Sequence, residues 1–225
     1  MKALRILKYD ITEGTIKYIF RYLYIVPFVL VSCIKFDAHN LYTYYLSGER
    51  PSVIEQMFNL FRGEAAFDFH ADTDYVFTFP MNWILVYICL ALLIGGHIKD
   101  STESFGLQVF VKSRTREGWW LSKCIWAILV VVSYICFIDI SFERNYYIIP
   151  NSYGGQVDQM LTYRKLIMLA VVLPFLVGVV QSLIQMILSL YINTGTALSV
   201  VLATLVLATY YPGKLIFYGY AMNIR

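Results

Sequence analysis

Leu166 to Ile192 is a run of twenty-seven residues without a single Asp, Glu, Lys or Arg. As a helix rising about 1.5 Å per residue it would be roughly 40 Å long, enough to cross ~30 Å of hydrocarbon with tilt or a bend at Pro174. In lipid every backbone N–H and C=O must be satisfied within the protein, which leaves helices or closed barrels as spanning structures. A run this long is a helix. Four further runs fit the same reading: Tyr18 to Lys35, with Pro27 as a kink and Arg21 snorkelling to the headgroups; Val76 or Pro80 to Ile98, with Trp83 at the interface and Gly95-Gly96 near its inner end; Trp119 to about Phe142; and the stretch from the turn at Asn193, Thr194 and Gly195 out to Tyr211-Pro212. With 59% apolar residues in 225, against about 45–50% in soluble domains, the chain is expected to be an all-α membrane protein, a polytopic helical bundle with five spans visible.

The segments between the runs set the orientation. Met1 to Lys17 is basic, with Leu4, Leu7, Ile11 and Tyr18 at helical spacing, which predicts an amphipathic helix lying in the interface plane over residues 1–17. No small-residue cleavage site follows, so the first span is expected to be retained. Residues 36–79 are acidic and predict an outer loop, in which Ile54, Met57, Phe58 and Phe61 mark a short helix resting on the outer leaflet, either packed over the helix ends or acting as a lid. Residues 97–123 are basic, and residues 143–163, with Pro150, Asn151, Gly154 and Gly155, form a second outer loop. An N-terminus inside gives the cytoplasmic side Lys2, Arg5, Lys8, Lys17, Arg21, Lys99, Lys112, Arg114, Arg116 and Lys123, ten of the eighteen basic residues against five of the fifteen acidic ones. The bias places the N-terminus in the cytoplasm, in the plasma membrane of a cell.

Enzyme signatures are missing from the sequence. It has no GxxxxGK[ST] phosphate loop, no HExxH and no GxSxG. Nucleic acid is excluded as a partner, because a net charge of +3 comes with no basic patch interleaved with aromatics. Asp68, His70 and Asp72 lie close together, but a solvated loop explains them better than a metal does. Cys33, Cys89, Cys124 and Cys136 all sit in apolar runs without ligand spacing and read as small hydrophobes. No catalytic, cofactor or metal residue is assigned.

Two features carry function. Gln181, Gln185 and Ser189 recur every four residues with Ser182 beside them, a polar stripe on an apolar helix; it serves either interhelical packing or the lining of a substrate path. The other is the polar segment 97–123. There Asp100 and Glu103 fit the start of a helix and Lys112, Arg114 and Arg116 its end, around an apolar surface of Phe105, Leu107, Val109, Phe110 and Val111. Such a helix offers a soluble partner an apolar knob with a basic rim; an ordinary positive-inside loop is the plainer alternative.

The run GLQVFVKSR at 106–114, followed by Trp119, Trp120, Leu121, Ser122, Lys123 and Trp126, resembles the cytoplasmic coupling loop of small permeases of the type-2 exporter class of ABC transporters in Gram-positive bacteria. Phe79-Pro80 with Trp83, the run QMILSLY at 185–191, and Tyr210-Tyr211 match in the same order. The resemblance implies a bundle of six helices, a dimer with a second permease copy or paralogue, and two ATPase subunits below that bind ATP and Mg; this chain itself would bind no cofactor and would not be an enzyme. It implies that Phe105, Leu107, Val109, Phe110, Lys112, Arg114 and Arg116 couple to the ATPase, and that the cargo is an amphipathic, bacteriocin-like peptide or a drug-like molecule. It also implies a sixth span, for which Gly213 to Arg225 is too short. The competing expectation is a non-transporting membrane assembly or immunity subunit that binds a partner or toxin at the outer surface.

Overall fold

The computed structural model describes residues 80–103, 116–148 and 168–210, together with Lys8, Ile11, Thr12, Phe20, Leu23, Val26, Pro27, Leu60 and Phe61. The described residues contain helices and turns and no strand. In chain order they form α1 (Met81–Ile94), α2 (His97–Glu103), α3 (Arg116–Ile148), a π-helical turn (Met168–Val172), α4 (Leu173–Tyr191) and α5 (Thr194–Tyr210).

Three stretches are long and apolar enough to cross a membrane: Met81–Lys99, Glu117–Ile140 and Ala170–Tyr191. They correspond to the second, third and fourth expected spans. α5 has 17 residues, about 25 Å of helix, slightly short of the ~30 Å hydrocarbon core. Apart from the single residues named above, the first span, the interfacial helix over 1–17 and most of both outer loops fall outside the described residues, as do Asp68, His70 and Asp72.

α4 is the hub of the bundle, packing against α1, α2, α3 and α5. Its sidedness is the reverse of a water-soluble helix. Gln181, Ser182, Gln185 and Ser189 are buried, whereas Leu176, Val180, Ile184, Ile187 and Leu190 are 37–51% exposed. In water that arrangement would expose the apolar stripe and desolvate the amides; in lipid it is the favourable one. α3 does the same with Leu121, Ile128, Leu129, Val132, Phe137 and Ile140 turned outward. The described part of the chain is thus built as a membrane protein.

Proline and glycine set the breaks. Pro174 has no N–H to offer the Ala170 carbonyl, and its ring would strike that carbonyl in an unbroken α-helix; the π-helical turn Met168–Val172 stands where the backbone must widen. At the other end of the bundle α1 stops at Gly95-Gly96. Gly96 has φ 87°, a left-handed conformation that only glycine adopts without strain, and the chain restarts as α2.

Trp83, near the start of α1, is turned into the bundle. It is 1% exposed and meets Tyr87 edge-on at 5.3 Å, because its face of α1 is the one turned to the other helices. Phe61 is also buried, 6.4 Å from the Tyr87 ring, so this residue of the 36–79 segment packs against the helices, in line with the packing alternative for that stretch. α3 continues as helix to Ile148, past the expected end near Phe142.

Candidate functional site

The polar stripe of α4 is turned onto α1. Gln181 donates through Nε2 to the Tyr87 carbonyl (2.9 Å), and one turn on Gln185 donates through Nε2 to the Ala91 carbonyl (2.8 Å). α1 and α4 run in the same direction, so residues four apart on one meet residues four apart on the other. Gly95 makes room for the lower contact: a Cβ there would lie 3.2 Å from Gln185 Nε2 and 3.1 Å from the Ala91 carbonyl oxygen. A further bond across this interface runs from Tyr87 Oη to the Pro174 carbonyl (3.4 Å), and Tyr134 Oη of α3 donates to the Val86 carbonyl of α1 (2.9 Å).

Both glutamines have a second, unused half. Their Oε1 atoms are buried and have no hydrogen-bond partner among the described residues. The amides cannot usefully turn over, because Oε1 would then face a backbone carbonyl, acceptor against acceptor. Ser182 and Ser189 spend their hydroxyl hydrogens on α4 itself, at the Gly178 carbonyl (2.6 Å) and the Met186 carbonyl (2.8 Å). Of the four stripe residues, both serine donors are therefore spent, each amide keeps one further N–H, and the two Oε1 atoms are acceptors without a partner among the described residues.

At the end of the bundle where α1 stops and α4 turns into α5, four more contacts gather. Lys99 Nζ donates to Asn193 Oδ1 at 3.0 Å, tying α2 to the α4–α5 turn. Lys123 Nζ lies 3.4 Å from His97 Nε2 and 5.8 Å from the Trp119 ring centroid, and the His97 ring stacks on Trp126 at 3.8 Å. Beside them an open cleft of about 530 Å³ is lined by Lys99, Ser189, Tyr191, Asn193 and Thr196 among others.

This changes the reading of the polar segment. His97 and Lys123, its two ends, are 4% and 1% exposed and face one another inside the bundle. The described helix runs from His97 to Glu103 and contains both acids, with Asp100 in its first turn; Arg116, expected at the far end of that helix, opens α3. Phe105, Leu107, Val109, Phe110, Lys112 and Arg114 fall outside the described residues. The His97–Lys123 cluster was missed because a lysine beside a basic loop counts as surface charge. A signal existed: Trp119, Lys123 and Trp126 recur at four and three residues, one face of a helix.

Comparison with models of known protein families, with curated proteins and with solved structures finds no match in any of the three.

Proposed function

We propose that the chain is the membrane-spanning permease subunit of an ATP-driven ABC exporter, which moves an amphipathic peptide or drug-like molecule out of the cell and is powered by separate ATPase subunits. Its N-terminus lies in the cytoplasm and it works beside a second permease copy or paralogue. The observation that carries the reading is mechanical. The polar segment leaves the bundle through α2, which packs on α4 and is tied to the α4–α5 turn by Lys99 and Asn193. It returns through α3, whose Lys123 meets His97. A push on residues 104–115 is therefore delivered to α4, the helix that touches every other described helix and bears the polar stripe.

The sequence has no phosphate loop of its own, so ATP and Mg belong to the partner. Gln181, Ser182, Gln185 and Ser189 supply polar groups at successive depths of the bundle, where polar side chains mark pathways or packing. The amide nitrogens serve packing; the free carbonyl oxygens are what a cargo can use.

Affinity purification of the chain from its native membranes in mild detergent tests the reading. The expected result is a co-eluting ATPase subunit and Mg-dependent ATP hydrolysis that vanadate inhibits. Recovery of the folded chain alone, with no ATP hydrolysis, would count against an exporter and for the assembly or immunity subunit.

A further inference from the structure

Ser189 belongs to two features at once. It is a rung of the α4 stripe, 6% exposed, and it lines the open cleft with Lys99, Tyr191, Asn193 and Thr196. The cleft lies where two of the apolar stretches end, at Lys99 and Tyr191, which puts its mouth at headgroup depth. Its volume of about 530 Å³ is within the ordinary range of small-molecule sites. From Ser189, Gln185 is about 6 Å deeper along the helix and Gln181 about 12 Å deeper.

What those rungs offer is decided by what they have already used. Each amide nitrogen gives one of its two N–H groups to a carbonyl of α1, and both serine hydroxyl hydrogens go to carbonyls of α4. The two Oε1 atoms are buried and unpartnered among the described residues. Such atoms cost stability unless something donates to them. The unpartnered Oε1 atoms receive N–H and O–H groups. Lys99 at the rim disfavours a cationic donor and leaves a neutral one unaffected.

We infer that the cleft is the inlet to the stripe, and that Gln185 and then Gln181 accept hydrogen bonds from neutral donor groups of the cargo, amide N–H or hydroxyl. The cargo is then amphipathic in a defined sense: its apolar body travels against the aliphatic and aromatic lining, and its polar end carries neutral donors. This inference takes its direction and its cargo from the exporter reading, but the binding chemistry does not depend on an ATPase.

Thiol chemistry on the full chain tests it. Cys33, Cys89, Cys124 and Cys136 are replaced by Ala and a single cysteine is placed at Ser189, at Thr196 on the cleft rim, or at Leu176 on the lipid face. Rates are measured with 2-hydroxyethyl methanethiosulfonate, a neutral reagent carrying a donor, and with methyl methanethiosulfonate, which carries none. At Ser189→Cys the hydroxyethyl-to-methyl rate ratio is expected to exceed that at Thr196→Cys by about five- to tenfold, the worth of one neutral hydrogen bond. In a Gln185→Leu background it should fall to the Thr196→Cys value, and Gln185→Met serves equally if the leucine variant does not fold. Equal ratios at the two positions, a ratio indifferent to Gln185, or a Ser189→Cys no more reactive than Leu176→Cys would each overturn the inference. A chain that passes but purifies without an ATPase keeps the inlet and loses the exporter; one that couples to an ATPase and fails does the opposite.

Discussion

Replacing Gln185 by Leu separates a structural role for the stripe from a functional one, because the two roles give opposite signs. The substitution removes the Nε2 bond to the Ala91 carbonyl, and interhelical hydrogen bonds in membrane proteins are worth roughly 0.6–2 kcal/mol. It leaves no new orphan: the Ala91 carbonyl still accepts from the Gly95 N–H at 2.9 Å. It also removes a buried carbonyl oxygen without a partner, whose desolvation costs about 1–3 kcal/mol. Leucine is close to glutamine in size, so the space beside Gly95 stays filled. The net expectation is a variant between about 1 kcal/mol less and about 2 kcal/mol more stable, with cargo-stimulated ATP hydrolysis lost. Trp83 and Trp126 are both buried in the core, and their emission during denaturant titration in mixed micelles reads the stability. A loss of more than about 1 kcal/mol would refute the reasoning, since it would mean that the amide was retained for packing.

Other perturbations follow from the same contacts. Gly178→Ala should destabilise by about 1–3 kcal/mol in the same titration, because a Cβ there lies 3.0 Å from Leu90 Cδ2 and 3.2 Å from Val131 Cγ1, where α1, α3 and α4 meet; an unchanged midpoint would contradict this close approach. Asn193→Ala removes the acceptor of Lys99 at a cost of ~1 kcal/mol or less. It should instead show as faster amide exchange in α2 with the rest of the bundle unchanged, and exchange that rises equally in α1 and α4 would argue against a tether. His97→Ala takes away the ring stacked on Trp126 and should destabilise by roughly 1 kcal/mol or more, with a shift in tryptophan emission that His97→Phe restores in part.

Apolar periodicity and length made the spans legible. Lipid allows few alternatives, so uncharged runs on the scale of Leu166 to Ile192 could only be helices, and the observed stretches fall close to the expected ones. Spacing alone also placed Gln181, Gln185 and Ser189 on one face. Two kinds of fact were hidden. Which half of each glutamine is used depends on the register of α4 against α1, a relation between residues about ninety apart in sequence. The burial of Lys123 was hidden because a charge next to a loop carries the same signature whether it snorkels outward or turns inward to His97. The burial of Trp83 was hidden for a related reason: tryptophan is favoured at an interface and in a core alike. Pro174 announced a bend, and the form it takes, the π-helical turn over Met168–Val172, is set by the packing of α4 beyond it.

The central claim is that a separate ATPase drives this bundle through the polar segment that α2 and α3 bring out at one end. The most direct measurement replaces Phe105, Val109 and Phe110 together by Asp, purifies the full chain from its native membranes, and compares ATPase co-elution and cargo-stimulated ATP hydrolysis with the unmodified protein. Insertion is followed in parallel by the tryptophan emission of the core. The account predicts a chain that is inserted and folded, with the ATPase dissociated or its hydrolysis no longer responding to cargo. Full association with undiminished coupled hydrolysis would contradict it.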